Sequence, residues 1–248
     1  MTATAPPGSA RKTPWAVDFY RSAVGKKYTM AITGIVWMGY LAAHTIGNLK
    51  VYIGFLPAEG DYEVDIYGEA LRSLLFPILP EHVVLWLLRV IIILALVIHV
   101  HAAYSLTVMN RKARTVSYQG PREYLVADYA SRTMRWSGVL VLLFVLWHLA
   151  DFTWGVAPFA PEAWEHGQVY ANFVASFSRV PVSILYIAAN IALGSHLYHG
   201  AWSLFQSLGA NNPRFNPWRR YFAIAFAGVI VVGNISFPIA VLGGLISL

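Results

Sequence analysis

Hydrophobic positions along the chain gather into five long runs, at roughly 28–54, 82–109, 136–158, 181–208 and 221–246. A helix rises 1.5 Å per residue, so about 20 apolar residues cross the hydrocarbon core of a bilayer, and each run is long enough. Punctuation falls between them. Pro77 and Pro80 precede the second run, Pro158 and Pro161 follow the third, Pro181 opens the fourth, and "GANNPRFNPWRR" separates the fourth from the fifth. The first run is too long for the apolar part of a signal peptide and lacks a small-residue cleavage site. The pattern predicts an all-α integral membrane protein with five transmembrane helices. It divides into a segment 1–27 and a membrane domain 28–248. Residues 1–10 read as disordered, and "WAVDFYRSAVGKK" as an amphipathic helix lying on the membrane surface.

Composition agrees: 57% of the 248 residues are hydrophobic, 12% are charged, and the mean hydropathy is +0.53. Cysteine is absent, so the chain makes no disulfide and holds no thiolate-ligated cluster; metal chemistry must run through histidine and carboxylate. The net charge of +6 raises the question of nucleic acid, but the charges sort by side of the membrane. Arg11, Lys12, Arg21, Lys26 and Lys27 precede the first run. Arg111, Lys112, Arg114, Arg122, Arg132 and Arg135 join the second to the third, and Arg214, Arg219 and Arg220 the fourth to the fifth. These are 14 of the 18 basic residues. The other loops carry Glu59, Asp61, Glu63, Asp65, Glu69, Glu81, Glu162 and Glu165. The positive-inside rule puts the N-terminus in the cytoplasm and the C-terminus outside. Topology accounts for the basic balance, and no nucleic-acid partner is expected.

Six of eight histidines lie within the runs; His82 and His166 fall in or beside the outer loops. Counted from the outer helix ends, His44 and His148 each lie ten residues deep, about 15 Å, while His101 lies 19 deep and His196 15 deep, about 29 and 22 Å. One pair therefore belongs to the outer half of the membrane and another to the inner half. A single intramembrane histidine is ordinarily a neutral imidazole bonded to a neighbouring carbonyl. Four matched in depth on four helices describe two bis-histidine haem sites, since imidazoles facing across a bundle can hold a planar ligand between them. Zinc wants a third or fourth protein ligand at the same depth, and His99 and His199 do not supply an outer set. An internal repeat reinforces the outer pair. "YTMAITGIVWMGYLAAH" and "RTMRWSGVLVLLFVLWH" align at an offset of 104, matching Thr29 with Thr133, Met30 with Met134, Gly34 with Gly138 and His44 with His148.

The stretches "LAAHTIGN", "HVHAAYSL", "LLFVLWHLAD" and "GSHLYHGAWS" resemble the cytochrome b membrane anchor of succinate dehydrogenase and fumarate reductase, in its single-subunit, five-helix, two-haem form. The resemblance covers all five runs. It implies a four-helix bundle core enclosing two b haems, the distal one held by His44 and His148 and the proximal one by His101 and His196. His199 is the alternate fourth ligand, because matching "AYSL" with "AWSL" aligns it with His101. It further implies docking of a flavoprotein and an iron–sulfur subunit on the cytoplasmic face. Electrons would run from succinate through flavin, clusters and haems to a quinone, menaquinone in the two-haem form. Such an anchor is the non-flavin subunit of the enzyme, without catalytic activity alone. It is a multi-pass protein of the bacterial inner membrane, surrounded by lipid, and the whole complex is free to associate into a higher oligomer. The alternatives are an anchor of a quinol:fumarate reductase, a haem-binding subunit of a formate dehydrogenase or hydrogenase, and a haem-free proton-relay transporter, whose groups should be staggered in depth rather than paired.

Three further residues stand out by position. Arg89 lies seven residues inside the second run, where a buried guanidinium needs a partner such as a haem propionate, or else snorkels outward along "EHVVLWLLR". Asp151 follows His148 by three residues on nearly the same helix face, a place for a partly desolvated carboxylate that reaches water and protonates quinone. Trp147 and Asn48 complete the quinone-site candidates.

Overall fold

The computed structural model describes residues 13–113 and 129–248, without the side chains of 129–133. Of the expectations above, the disorder of 1–10, the charges of Arg11, Lys12, Arg114, Arg122 and Arg132, and the Thr29–Thr133 match lie wholly or partly outside the described residues. The elements run α1 (Trp15–Arg21), α2 (Ala23–Asn48), β1 (Phe55–Leu56), β2 (Asp61–Tyr62), α3 (Glu63–Arg72), α4 (Val83–Lys112), α5 (Tyr129–His148), α6 (Val169–Phe177), α7 (Val180–Ser207) and α8 (Asn216–Leu242). Five of these helices are long and apolar enough to cross a membrane: α2 with its 3₁₀ extension to Tyr52, α4, α5 with the π turn Leu149–Thr153, α7 and α8. The chain is an all-α membrane protein.

Local chemistry sets the ends of these helices. Ser22 caps α2 by accepting from the Gly25 amide at 2.9 Å. Gly25 is required there, because a Cβ would lie 1.9 Å from the Phe19 carbonyl oxygen at the sharp corner between α1 and α2. Pro181 and Pro217 occupy the first turns of α7 and α8, where a missing amide hydrogen costs nothing. The third span stops at Thr153, five residues earlier than the apolar pattern suggests. The chain turns through Gly155 at φ +62°, and the Trp164 ring lies where a side chain at that glycine would sit.

Two short helices were not anticipated. α3 and α6 lie in the acidic connections and close one end of the bundle. Their shared link is Asp65, whose carboxylate accepts the Val169 and Tyr170 amides at the start of α6, the latter at 3.2 Å. Tyr62 and Tyr170 stack with ring centroids 3.7 Å apart. Beneath them a core of Val51, Val64, Phe173, Phe177, Tyr186 and Phe237 fastens this end.

Within the bundle, α4 packs along α2, α5 along α7, α2 meets α7, and α8 lies chiefly along α7. A second apolar cluster, Leu193, Leu197, Ala227 and Ile230, seals α7 to α8. Between the two clusters runs a polar ladder. Thr45 donates to Asn234 (3.1 Å), Asn234 to Asn190 (3.0 Å), and Asn190 to the Tyr186 carbonyl (2.9 Å). Such bonds between side chains contribute to helix association where apolar contact alone gives no advantage over lipid. The lipid-facing character is plain on α4, where Leu87, Ile91, Ile93, Leu94 and Val97 are all exposed.

Candidate functional site

His44 on α2 and His148 at the end of α5 meet across the bundle. Their ring centroids are 5.8 Å apart and their planes stand at 86°. Two imidazoles this close on different helices are residues that could hold one metal centre between them. Tyr40 stacks on His44 at 5.3 Å, and Phe144, Phe152 and Tyr186 surround His148. Asn48 lies one turn beyond His44 with its amide nitrogen 3.4 Å from Nε2.

A second pair lies deeper, and its α4 member is His99. The His99 and His196 imidazoles are close enough to interact electrostatically. They occupy matching cradles on the two repeat helices. Thr33 Oγ1 is 2.9 Å from His99 Nδ1, and Ser137 Oγ is 3.3 Å from His196 Nδ1. The next residue in each case is a glycine: a Cβ on Gly34 would lie 3.8 Å from His99 Cε1, and one on Gly138 3.4 Å from His196 Cε1. Hydroxyl partners on Nδ1 fix ring orientation and leave Nε2 for a ligand. Each glycine thus lies against the edge of its histidine ring.

The structure does not bring His101 to His196. His101 is exposed on another face of α4, bonded to the Tyr20 hydroxyl and stacked on its ring at 5.9 Å, so it ties α1 to the bundle. Residues two apart on a helix point about 200° away from each other, so only one of His99 and His101 can face inward. His199 is buried between Tyr198 and Trp202. Arg89 is exposed with its guanidinium over the Trp86 ring at 5.0 Å; its charge reaches Tyr40, the residue stacked on His44.

Asp151 departs from expectation in a different way. It is fully enclosed, at 0% exposure, and does not open to water. Both carboxylate oxygens are occupied: Oδ1 accepts from Ser176 and from Arg179 Nη2 (2.9 Å), and Oδ2 from the Tyr186 hydroxyl (2.9 Å). A carboxylate so held is tied to α6 and α7 and does not face an open path to water. The π turn following His148 widens the helix and aims Asp151 at α6 and α7. Trp147 packs edge-on to Phe159 at 4.9 Å, its indole N–H buried without a hydrogen-bond partner. Tyr186, Ser176, Arg179, Thr33 and Ser137 were not singled out from sequence. The 104-residue repeat that matches Gly34 with Gly138 also matches Thr33 with Ser137, and was the available signal for those two.

No family model, curated protein or solved structure matches this chain.

Proposed function

We propose that the chain is the haem-b membrane anchor of a succinate:quinone oxidoreductase, linking an iron–sulfur partner subunit to quinone. The observation that carries this reading is the meeting of His44 and His148 across the bundle, with rings 5.8 Å apart and nearly perpendicular; His99 and His196 interact electrostatically deeper in the same bundle. His44 and His148 would hold the distal haem, and His99 and His196 the proximal one, with His99 replacing His101 in that role. A haem b held there would supply one-electron transfer. The chain's own residues do the rest. Thr33 and Ser137 orient the deeper imidazoles, Gly34 and Gly138 lie against their ring edges, and the aromatic shell around His148 excludes water. Arg89 provides a positive charge on the distal side suited to a carboxylate such as a propionate. Asn48, beside His44, and the Trp147 N–H, which has no hydrogen-bond partner among the described residues, are polar groups suited to quinone, with menaquinone the class the two-haem resemblance favours. The basic loops form the cytoplasmic face on which flavoprotein and iron–sulfur subunits dock, in a bacterial inner membrane.

The test is purification from native membranes through a tag on this chain. A flavoprotein and an iron–sulfur protein should accompany it, and succinate should reduce the b-type absorption. Recovery of the chain with haem but without either partner would point to another respiratory enzyme's anchor. Recovery without haem would remove the reading altogether.

A further inference from the structure

The Asp151 network has a feature that stability alone does not require: it ends on a haem-ligand candidate. Tyr186 Oη is 2.9 Å from Asp151 Oδ2 and 3.4 Å from His148 Nδ1. With His148 offering Nε2 to a metal, its Nδ1–H points to the Tyr186 oxygen, and the Tyr186 hydroxyl donates onward to the carboxylate. Beyond it, Arg179 Nη2 bonds both Asp151 and Ser176 Oγ at 2.9 Å, and Nη1 donates to the Phe159 carbonyl at 2.7 Å. The anion therefore has two donors on its far side and one hydroxyl that relays its field to the imidazole. The other candidate ligands lack such an arrangement: His99 and His196 meet neutral hydroxyls, and His44 meets the Asn48 amide.

We infer that Asp151, acting through Tyr186, is the positioning residue that makes the His148 imidazole more electron-rich and lowers the reduction potential of the haem it would ligate. The inference rests on the haem reading above. An acceptor on the second nitrogen of a ligating imidazole raises its basicity, and ligand hydrogen bonding is one of the levers by which a protein tunes haem. A charged acceptor reached through a hydroxyl acts in the same direction as a direct one.

Redox titration of the purified protein, with haem content measured in parallel, separates the outcomes. Tyr186→Phe keeps the ring packed against Phe144, Phe152 and Phe177 and leaves the Asp151–Arg179 pair intact, so a purely structural role would leave both potentials unmoved. The expected result is two haems retained, with one potential raised by about tenfold in the reduction equilibrium, about 59 mV for one electron, and the other unchanged. Asp151→Asn should shift the same haem in the same direction. Two retained haems with wild-type potentials in Tyr186→Phe would overturn the inference. A wild-type protein without haem would instead overturn the reading on which it rests.

Discussion

Replacing Arg179 with glutamine isolates the energetics of the buried anion. The Asp151 side chain is 0% exposed and that of Arg179 28%, so removing the guanidinium leaves a carboxylate out of water with only the Ser176 and Tyr186 hydroxyls as donors. Breaking a buried pair from one side costs about 3–5 kcal/mol. The partial exposure of Arg179, which lets water replace some of its charge, puts the expected cost near the lower bound, about 3 kcal/mol. Asp151→Asn should cost less, because an amide retains an acceptor and removes the charge that must be compensated. In the double variant nothing charged is left behind. The two costs should therefore fall short of additivity by about 1–3 kcal/mol, the range for groups in one network. Reversible unfolding in mixed micelles, followed by loss of helical circular dichroism, measures all three. A cost below about 0.5 kcal/mol for Arg179→Gln, or strict additivity in the cycle, would refute the assignment of Asp151 as a buried, compensated anion.

Two other positions test the scaffold. Gly194→Ala would put a Cβ 2.3 Å from Val231 Cγ2 between α7 and α8; overpacking of this kind costs about 1–3 kcal/mol, and Val231→Ala in the same chain should recover most of it in the same unfolding assay. Burial pushes the Asp65 carboxyl above its ordinary range, against the opposing pull of the Val169 and Tyr170 amides. The folded protein then binds this proton more tightly than the unfolded chain, so the group's contribution to stability is full below its unfolded value of about 3.9 and is lost as pH rises through the raised folded value. Asp65→Asn should flatten that dependence in hydrogen exchange of the α6 amides, and an unchanged slope would assign the effect to another group.

The five spans were legible because a membrane helix needs little more than length and apolarity. The lid helices were not, since α3 and α6 are ten and nine residues long and owe their order to a tertiary contact, Asp65 on the α6 amides. The outer histidine pair was legible for a geometric reason: α2 and α5 were read as running in one direction, and the repeat gives His44 and His148 equal depth. For the deeper position the depth count also favours His99 over His101 as the neighbour of His196. His99 lies 17 residues inside α4, about 26 Å, closer to the 22 Å of His196 than His101 at about 29 Å. Helical phase would have added that only one of the two faces inward. Asp151 keeps the face expected of it, since the Tyr186 hydroxyl reaches both it and His148; its access to water was misjudged because Ser176 of α6 and Arg179, which enclose it, leave no trace in the apolar pattern.

The central claim, two bis-histidine haem sites, is tested most directly by counting haem in the purified chain with the pyridine haemochrome assay. The account predicts two b haems per chain in the wild type, one in His148→Ala, one in His99→Ala, and two in His101→Ala. A wild-type chain without haem, or one in which His148→Ala and His99→Ala each retain two, would contradict it.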